Sequence, residues 1–431
     1  MSELRGSLVE AQALDAMDPL AKYRDHFAFP ENTIAYLDGN SLGLWSIEVA
    51  AGVDRRMDEW KRLGVKGWSD PSSDWHNMGE YVGELEAPLV GADPDEVIGM
   101  ATTSDNIHRI LATVFKPKGN RNKILVDRIA FPSDAISVES WLEQRDLDPA
   151  EHMVYVEPRG DTRLIEEEDI EAILEERGEE ISVLVLPVVV YSTGQLLDVK
   201  RITKAAHRHG VTTIFDAAHS FGSVPHHFSR DGVDFAVWCG YKYGNGSPGG
   251  LAGMYLNRRH LHLKPGLRGW WGSDKEAQFD MSHQQVLAKR AGKYQIGTIQ
   301  VIVAGAMIPA VETMNEAGID SIRAKSLRLT DYLISLFDRE LDGHGFTVIT
   351  PRDKNRRGGH ISVAHPQAVQ INAALSSAGI TPDFRLPDMI RFAPTALYNN
   401  HMDVHTTVST TKAIMEEDVY RQFPSKRGVI A

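Results

Sequence analysis

The sequence predicts an α/β fold in which helices flank a mainly parallel sheet, followed by a smaller α+β unit. Two features predict this fold. From about residue 95 the order strand, loop, helix repeats, and several strand candidates are unbroken apolar runs, which is typical of strands buried on both faces of a parallel sheet. After about residue 305 a long helical region leads into short strands. The 431 residues also suit a large domain plus a smaller one.

The predicted elements follow the chain in a simple order. The N-terminal part has a surface helix at 9–26, a short strand with its turn at 35–43, and a helix around 49–60. The larger unit has predicted strands at 96–101, 123–127, 183–190, 212–216, 235–238 and 253–256, and predicted helices at 106–115, 165–177 and 202–209. The smaller unit has a helical region at 301–340, strands at 346–350, 360–364 and 389–392, and a helix at 367–378.

Composition excludes several classes of protein. With 42% hydrophobic and 24% charged residues the chain is typical of soluble globular proteins, and a net charge of −13 argues against a nucleic-acid partner. No apolar run approaches the roughly 20 residues of a membrane span, and no signal-peptide core follows Met1. One cysteine excludes an intrachain disulfide framework, and the histidines lack the spacing of metal ligands. We therefore expect a cytoplasmic protein without a bound metal.

Lys242 and Asp216 are the most informative residues of the chain. Asp216 closes one apolar strand candidate, and Lys242 follows the next. In parallel sheets, ligands bind outside the carboxyl ends of the strands. A buried lysine readily forms an imine, and a carboxylate keeps a pyridine nitrogen protonated so that the ring accepts electrons. The pair predicts a site for pyridoxal phosphate (PLP); the alternative is two surface charges at strand ends.

Residues 100–106 follow a strand candidate and lead into a helix. The free N–H groups of a helix start, together with the hydroxyls of Thr103 and Ser104, predict a cup for a phosphate group. The alternative is an ordinary helix N-cap, which serine and aspartate often provide.

Several larger side chains are candidates for ligand contacts. Phe131 follows a strand and is placed either to stack on a flat cofactor or to pack in the core. Arg391 lies in an apolar strand, where its guanidinium predicts either a carboxylate ligand or a structural salt bridge. Trp68, Trp270 and Trp271 would line a pocket for an aromatic substrate, or serve only in packing.

Beyond these positions, the order of motifs resembles the kynureninases, which are PLP enzymes of aminotransferase class V and fold type I. The resemblance covers nearly the whole chain. The matching segments are 36–43, 130–134, 215–219, 232–236, 241–243, 269–272, 297–298, 357–360 and 390–398. It implies a seven-stranded, mainly parallel sheet flanked by helices and a smaller α+β domain. We place an N-terminal segment that packs with the small domain at 1–60, a large PLP-binding domain at 61–305 and a small C-terminal domain at 306–431.

Carried over position by position, the resemblance implies a role for each candidate residue. Lys242 would hold PLP and move protons, Asp216 would pair with the pyridinium, and Tyr241 would assist proton transfer. Arg391 would clamp the α-carboxylate of the substrate. The implied cofactor contacts are Thr103, Ser104, Phe131, Ser133, Asp134, Asp216, His219, Tyr241, Lys242, Trp270 and Thr298. The implied substrate contacts are Arg391, Trp68, Asn40, Ser41, Tyr191 and Trp271.

The resemblance also implies an activity and an assembly. The reaction would be hydrolytic Cβ–Cγ cleavage of L-kynurenine or 3-hydroxykynurenine to an anthranilate and L-alanine. Its setting would be tryptophan catabolism, the kynurenine pathway and NAD biosynthesis. The active form would be a homodimer with shared active sites, in which the neighbouring subunit supplies some cofactor contacts. We expect a small-molecule amino-acid substrate and neither a nucleic-acid nor a membrane partner.

Some positions depart from the usual kynureninase pattern. They are Trp271, Ser273, Gly244, Ala396 and residues 135–136. The bulky Trp271 beside the small Ser273 and Gly244 predicts a ring pocket reshaped for a hydroxylated or otherwise altered substrate.

Other functions fit parts of the pattern. The nearest is another fold type I PLP enzyme acting on a related β-substituted or γ-keto amino acid. A cysteine desulfurase needs a cysteine on a mobile loop, whereas Cys239 has a strand-like context. A non-catalytic PLP-binding protein has no need of the substrate clamp that Arg391 adds to Lys242 and Asp216.

Overall fold

The computed structural model describes residues 7–426, in which short strands alternate with helices. The strands are β1 (Phe27–Ala28), β2 (Ala35–Tyr36), β3 (Trp45–Ser46), β4 (Val97–Gly99), β5 (Lys123–Asp127), β6 (Met153–Val156), β7 (Ile181–Pro187), β8 (Thr212–Asp216), β9 (Phe235–Trp238), β10 (Gly253–Leu256), β11 (Thr347–Val348), β12 (Ile361–Ala364), β13 (Ile380–Thr381), β14 (Asp383–Arg385) and β15 (Met389–Phe392). The helices are α1 (Leu8–Ala16), α2 (Ile47–Leu63), α3 (Met78–Val90), α4 (Thr103–Val114), α5 (Pro132–Glu143), α6 (Pro149–His152), α7 (Glu167–Arg177), α8 (Val199–Arg208), α9 (Phe228–Asp231), α10 (Val301–Ala317), α11 (Ile319–Glu340), α12 (Ala368–Ser377) and α13 (His401–Glu416).

The large sheet has seven strands in the order β4-β10-β9-β8-β7-β5-β6. Strands β5 to β9 pair in parallel, and β10 runs antiparallel to both of its neighbours. The predicted seven-stranded, mainly parallel sheet flanked by helices is therefore confirmed. The edge strand β6 is absent from the predicted strands, and its length does not explain this, since β9 and β10 are equally short and were predicted. The predicted strand 183–190 is too long at its end, because Val190 turns away and its N–H bonds the Gln195 carbonyl at 2.8 Å.

Both faces of this sheet are buried, as the unbroken apolar runs of its strands predict. One face packs Leu184, Leu186 and Phe215 against helices, and the other packs Val185 and Ile214. The helices on the two faces cover the sheet but leave the carboxyl ends of its parallel strands free to carry loops. Those loops contain most of the predicted site residues.

The smaller unit is built on a second sheet of four antiparallel strands in the order β11-β12-β15-β14. Helices α11, α12 and α13 pack with it around a separate hydrophobic core. The helical region predicted at 301–340 is two helices, since Gly318 ends α10 with a φ of +79°. That backbone conformation favours glycine and breaks the helix.

The single surface helix predicted at 9–26 is wrong. Helix α1 ends at Ala16, and a short 3-10 turn follows at Ala21–His26. Pro19 cannot donate a helical hydrogen bond, and Asp18 Oδ1 accepts instead from the Leu20 N–H at 3.1 Å. The other Asp18 oxygen forms a buried ion pair with Lys325 of α11, 2.6 Å from its Nζ. The N-terminal segment is thus tied to the smaller unit, while the domain boundaries stay a prediction.

None of the helices within residues 7–426 combines the length and the apolar composition needed to cross a bilayer.

Candidate active site

The carboxyl ends of β4, β5, β7, β8 and β9 lie along one edge of the large sheet, since these strands all run in one direction. This edge carries Asp216 at the end of β8 and Lys242 just after β9. Arg391 on β15 of the small sheet reaches the same place, where its Nη1 donates to the Tyr191 carbonyl at 2.8 Å. The site is therefore assembled where the two sheets approach each other.

Lys242 is surrounded by aromatic and imidazole rings. Only 8% of its surface is exposed, and its Nζ lies 3.1 Å from His219 Nε2 and 5.5 Å from the centre of the Phe131 ring. Phe131 is not a core residue, because 40% of it is exposed while its ring packs edge-on against Tyr191. A bare aromatic face next to a buried amine suits a flat ligand joined to that amine.

Asp216 and Asp134 form a pair of buried carboxyl groups with different charges. Asp134 lies within hydrogen-bonding reach of Asp216, which also accepts from the Ala218 N–H at 2.8 Å. Burial raises the pKa of Asp216, but the positive charge of Lys242 opposes that shift. Burial, and then the charge of Asp216, raise the pKa of Asp134 well above its usual range. Asp134 consequently keeps its proton, and Asp216 is the carboxylate available to a cationic ring nitrogen.

The predicted phosphate cup lies at the start of α4. The helix begins at Thr103 and not at residue 106, and its N-cap is Thr102, whose Oγ1 accepts from the Asp105 N–H at 3.2 Å. Thr103 and Ser104 therefore occupy the first turn, where a helix leaves N–H groups without partners in the helix. The Thr103 hydroxyl lies 3.0 Å from the buried Cys239 Sγ.

Tyr241 also lies against Cys239, beside the cup. Burial, followed by the neighbouring Cys239, raises the pKa of the Tyr241 hydroxyl. That hydroxyl therefore keeps its proton at neutral pH. Ser133, on the other side of the edge, is turned inward, and its hydroxyl donates to Asp134 at 3.0 Å.

Arg391 is fully buried and anchored on several sides. Its Nη2 donates to the Ser41 hydroxyl at 3.2 Å and to Asp383, the residue directly opposite it on β14. Burial lowers the pKa of Arg391 to about 10, and the nearby Asp38 opposes that shift. The guanidinium stays charged at neutral pH, which suits a clamp for a carboxylate.

Asn40 lies in the turn beside Arg391. It is completely buried, yet neither atom of its side-chain amide has a hydrogen-bonding partner among residues 7–426. The turn comes close to the segment between β15 and α13, since a Cβ on Gly39 would lie 2.2 Å from Tyr398 Oη. Buried amides are nearly always hydrogen-bonded, so the side chain of Asn40 points to a ligand.

Trp68, Trp270 and Trp271 form a separate aromatic cluster. The Trp271 ring centre lies 5.5 Å from the ring centres of both others and 5.4 Å from that of His76. Within the described range of 7–426, no ring contact joins this cluster to Phe131, Tyr191 or His219. Thr298 lines a cavity of about 70 Å³ together with Met100 and Ala101, which directly precede Thr102, the N-cap at the phosphate cup.

Three of the positions that depart from the kynureninase pattern have clear surroundings. A Cβ on Gly244 would lie 2.5 Å from the Gly240 carbonyl oxygen, so the loop after Lys242 closes only with glycine there. Trp271 is 3% exposed, so its bulk is packed inside the aromatic cluster. Ser273 accepts a hydrogen bond from Gln285 Nε2 at 3.2 Å.

Two residues of the site are missing from the sequence prediction. Asp383 pairs with Arg391, and the available signal was the alternation of charged Asp383 and Arg385 in an otherwise apolar stretch. His360 lies with its Nε2 3.1 Å from the Tyr191 carbonyl oxygen. In the sequence, only its position in the matching segment 357–360 marks His360, and that match does not indicate a role in the site.

The residues at this edge fit PLP. Lys242 offers an amine, Asp216 a carboxylate on the neighbouring strand, Phe131 an aromatic face, and Thr103 with Ser104 a helix start for a phosphate. The buried Nδ1 of His219 has no protein partner among the described residues, which leaves a polar group for further contacts. PLP bound here would be held by side chains that follow four different strands, β4, β5, β8 and β9.

Comparisons with known proteins agree with this geometry. Residues 322–411 match the family model described as kynureninase C-terminal domain, and residues 71–228 match the DegT/DnrJ/EryC1/StrS aminotransferase family. The kynureninase of Geobacillus thermodenitrificans (strain NG80-2) is 45% identical over 99% of both chains. The kynureninase of Shouchella clausii (strain KSM-K16) is 43% identical over 98% of this chain and 97% of that one.

Solved structures show the same fold at much lower identity. The apo structure of a cysteine desulfurase from Thermococcus onnurineus NA1 has a TM-score of 0.76 and 17% identity, covering 92% of this chain and 98% of that one. A C-DES variant with glycine covalently linked to the PLP cofactor has a TM-score of 0.76 and 16% identity, covering 90% and 98% of the two chains. These two likenesses concern the fold alone. The full-length relatives show that this chain belongs to the kynureninase family.

Proposed function

We propose that this protein is a PLP-dependent hydrolase that cleaves the Cβ–Cγ bond of L-kynurenine or 3-hydroxykynurenine to give an anthranilate and L-alanine. The observation that carries the proposal is the 45% identity to a kynureninase over 99% of both chains. The grouping of Lys242, Asp216 and Arg391 at one sheet edge supports it, because these three residues supply an amine, a counter-charge for a pyridinium and a clamp for a carboxylate.

Arg391 and its neighbours would position the substrate. The guanidinium would bind the α-carboxylate, and its contacts with Tyr191 and Asp383 fix its direction before substrate arrives. Asn40 and Ser41 lie in the adjacent turn, where their polar side chains would contact the same end of the substrate. Holding the carboxylate in one place sets the orientation of the α-proton toward Lys242.

Lys242, Asp216 and Tyr241 would manage the proton transfers. Bound PLP would supply an electron sink for the charge that develops next to the substrate amino group. The Lys242 amine would take the α-proton, with His219 Nε2 3.1 Å away. Asp216 would keep the ring nitrogen protonated, and Asp134 remains neutral beside it. The Tyr241 hydroxyl, which keeps its proton, would donate that proton when the Cβ–Cγ bond breaks after water has added to the γ-carbonyl.

We also propose that the active form is a homodimer. The predicted contacts Trp68, Trp270 and Trp271 make no ring contact with Phe131, Tyr191 or His219 within residues 7–426 of one chain. The loop that carries Trp270 also exposes large apolar side chains, with Trp270 45% and Phe279 61% exposed. A second copy of the chain would cover these groups and bring them to its own site. Sedimentation of the purified protein would then give twice the chain mass of 47.9 kDa.

The proposed setting follows from the proposed reaction. The enzyme would act in the cytoplasm, in tryptophan catabolism by the kynurenine pathway and in the supply of precursors for NAD biosynthesis. Its substrate would be a small amino acid, with no nucleic-acid or membrane partner.

The test is turnover of kynurenine followed by the fluorescence of anthranilate. Purified protein with PLP should release anthranilate, and Lys242→Ala should lower kcat by at least about 10³-fold, because it removes the group that moves the α-proton. Lys123→Ala is a matched control, since Lys123 begins β5 at the opposite edge of the sheet and pairs with Glu180. Full activity in Lys242→Ala would contradict the mechanism.

The ring preference and the alternative function are settled by the same assay. Kynurenine and 3-hydroxykynurenine are compared at equal concentration. If neither is cleaved, yet borohydride in the presence of PLP modifies Lys242, the protein is another PLP enzyme of the same fold acting on a related amino acid.

A further inference from the structure

Two buried histidines connect Lys242 with Arg391, and one of them has no role in the proposed reaction. His219 lies beside Lys242, and the His360 ring packs against the His219 ring. The centres of the two imidazole rings are 5.7 Å apart, and their planes make an angle of 59°. His360 is completely buried, and His219 is 4% exposed. A histidine buried at this depth between two functional groups needs a physical explanation.

The hydrogen-bonding partners fix which nitrogen of His360 carries its proton. Its Nε2 lies 3.1 Å from the Tyr191 carbonyl oxygen, which only accepts hydrogen bonds. Burial, and then the positive charge of Arg391, lower the pKa of His360 to about 3, so its ring is neutral at pH 7. The neutral ring has one N–H, which is on Nε2. Its Nδ1 is therefore an acceptor, and it has no protein partner within residues 7–426.

The same reasoning gives His219 the opposite arrangement. Its Nε2 lies 3.1 Å from Lys242 Nζ, and a lysine ammonium only donates. Burial, and then the charge of Lys242, lower the pKa of His219 well below its usual range, so this ring is neutral as well. Its one proton is on Nδ1, which is buried and has no protein partner in the described part of the chain.

The two unpaired nitrogens are thus a donor on His219 and an acceptor on His360. Two imidazole rings joined by an N–H···N hydrogen bond have their centres about 5 Å apart. The observed 5.7 Å is less than 1 Å longer. Pairing the two groups would bring the ring centres closer by less than about 1 Å, and burial without a partner is costly for both.

We propose that His360 is a positioning residue, which accepts the Nδ1–H of His219 and donates its own Nε2–H to the Tyr191 carbonyl. Lys242 then donates to His219, His219 donates to His360, and His360 donates to the Tyr191 carbonyl. The same carbonyl also accepts from Arg391 Nη1 at 2.8 Å. His360 would fix the tautomer of His219 beside Lys242. It would also hold the carbonyl that aims the guanidinium of Arg391 at the substrate.

The first test needs no substrate. Protein labelled with ¹⁵N in its histidines is studied by NMR without PLP, and the ring signals of His219 and His360 are assigned with the variants His219→Gln and His360→Gln. We expect the proton on Nδ1 of His219 and on Nε2 of His360. The opposite tautomer on either ring would overturn the proposal.

The second test compares variants and rests on the proposed function. His360→Phe removes both hydrogen bonds, so we expect a change in the His219 ring signals, a kcat about 10–100-fold lower and a raised KM. His360→Gln keeps a hydrogen-bond donor and an acceptor, so its kcat and KM should return much of the way to those of the parent protein. His365→Phe is the matched control, because His365 is also buried but bonds the His344 carbonyl at 2.9 Å, away from the site.

The outcomes separate a positioning role from simple packing. Loss of packing lowers the amount of active protein without changing KM or the His219 signals. His360→Phe with an unchanged KM and unchanged His219 signals would therefore overturn the proposal. If kynurenine is not turned over by the parent protein, the proposed function fails, while the NMR test of the two tautomers still decides this inference.

Discussion

Glu86 allows a quantitative prediction about stability and pH. It lies on α3 with its side chain completely buried, and neither carboxyl oxygen has a hydrogen-bonding partner in the described residues. The indole of Trp238 on β9 opposes the effect of burial only in part. Burial raises the pKa of Glu86 from its ordinary value of 4.5 to about 8. Glu86 therefore keeps its proton in the folded protein at neutral pH.

The sign of the effect follows from proton binding. Between pH 4.5 and pH 8 the unfolded chain has lost the Glu86 proton while the folded chain retains it, so a rise in pH lowers the free energy of unfolding. With those two pKa values, the loss between pH 5 and pH 7.5 is about 3 kcal/mol. Glu86→Gln has the same shape and no ionisable proton. We expect the variant to match the parent protein near pH 5 and to be about 3 kcal/mol more stable at pH 7.5.

The assay is urea unfolding of both PLP-free proteins at pH 5 and pH 7.5, with the free energy of unfolding compared at each pH. Glu84→Gln is the matched control, because Glu84 is on the same helix but is exposed and pairs with Arg290. The free energy of unfolding of Glu84→Gln should equal that of the parent protein at both pH 5 and pH 7.5. If Glu86→Gln and the parent protein show the same dependence on pH, then Glu86 is ionised in the folded protein and the reasoning from burial fails.

Two further predictions concern single charged groups. Arg391→Lys keeps a positive charge but loses the planar fork that binds a carboxylate at two points, so KM for kynurenine should rise about 100-fold with a smaller effect on kcat. Asp234→Asn should lower the free energy of unfolding by about 3–5 kcal/mol, because Asp234 is a buried carboxylate that bonds His207 Nε2 at 2.8 Å and the Thr213 N–H at 2.9 Å. The kcat of Asp234→Asn should not change, since Asp234 lies at the amino end of β9 and the site lies at the carboxyl end. A lowered kcat would contradict this separation of Asp234 from the site.

Much of the site can be predicted from the positions at which the apolar strands of the sequence end. Asp216 and Lys242 were predicted to share an edge because apolar runs precede both, and the parallel pairing of β8 with β9 brings their loops together. Phe131, Thr103 and Ser104 follow other strands that end at the same edge. Parallel strands in one sheet bring distant loops together whatever the loops contain, so a strand pattern suffices to predict this grouping.

Contacts that depend on antiparallel pairing or on the approach of the two sheets were not predictable in this way. Asp383 lies eight residues before Arg391, and only the antiparallel pairing of β14 with β15 sets the two opposite each other. His360 reaches the Tyr191 carbonyl across 169 residues of chain. The break after α1 was also missed, although Pro19 cannot donate a helical hydrogen bond.

The sequence by itself determined the fold class, the amine and the carboxylate expected to serve PLP, and the resemblance that full-length relatives bear out. Periodicity and motif order are properties of the chain, so they can be read without coordinates. Only the tertiary structure decided that Asp134 stays neutral beside Asp216, that Asn40 is buried without a partner among residues 7–426, and that His360 packs against His219 and bonds the Tyr191 carbonyl. Those features depend on burial and on distances between atoms far apart in the chain, and such distances exist only after packing.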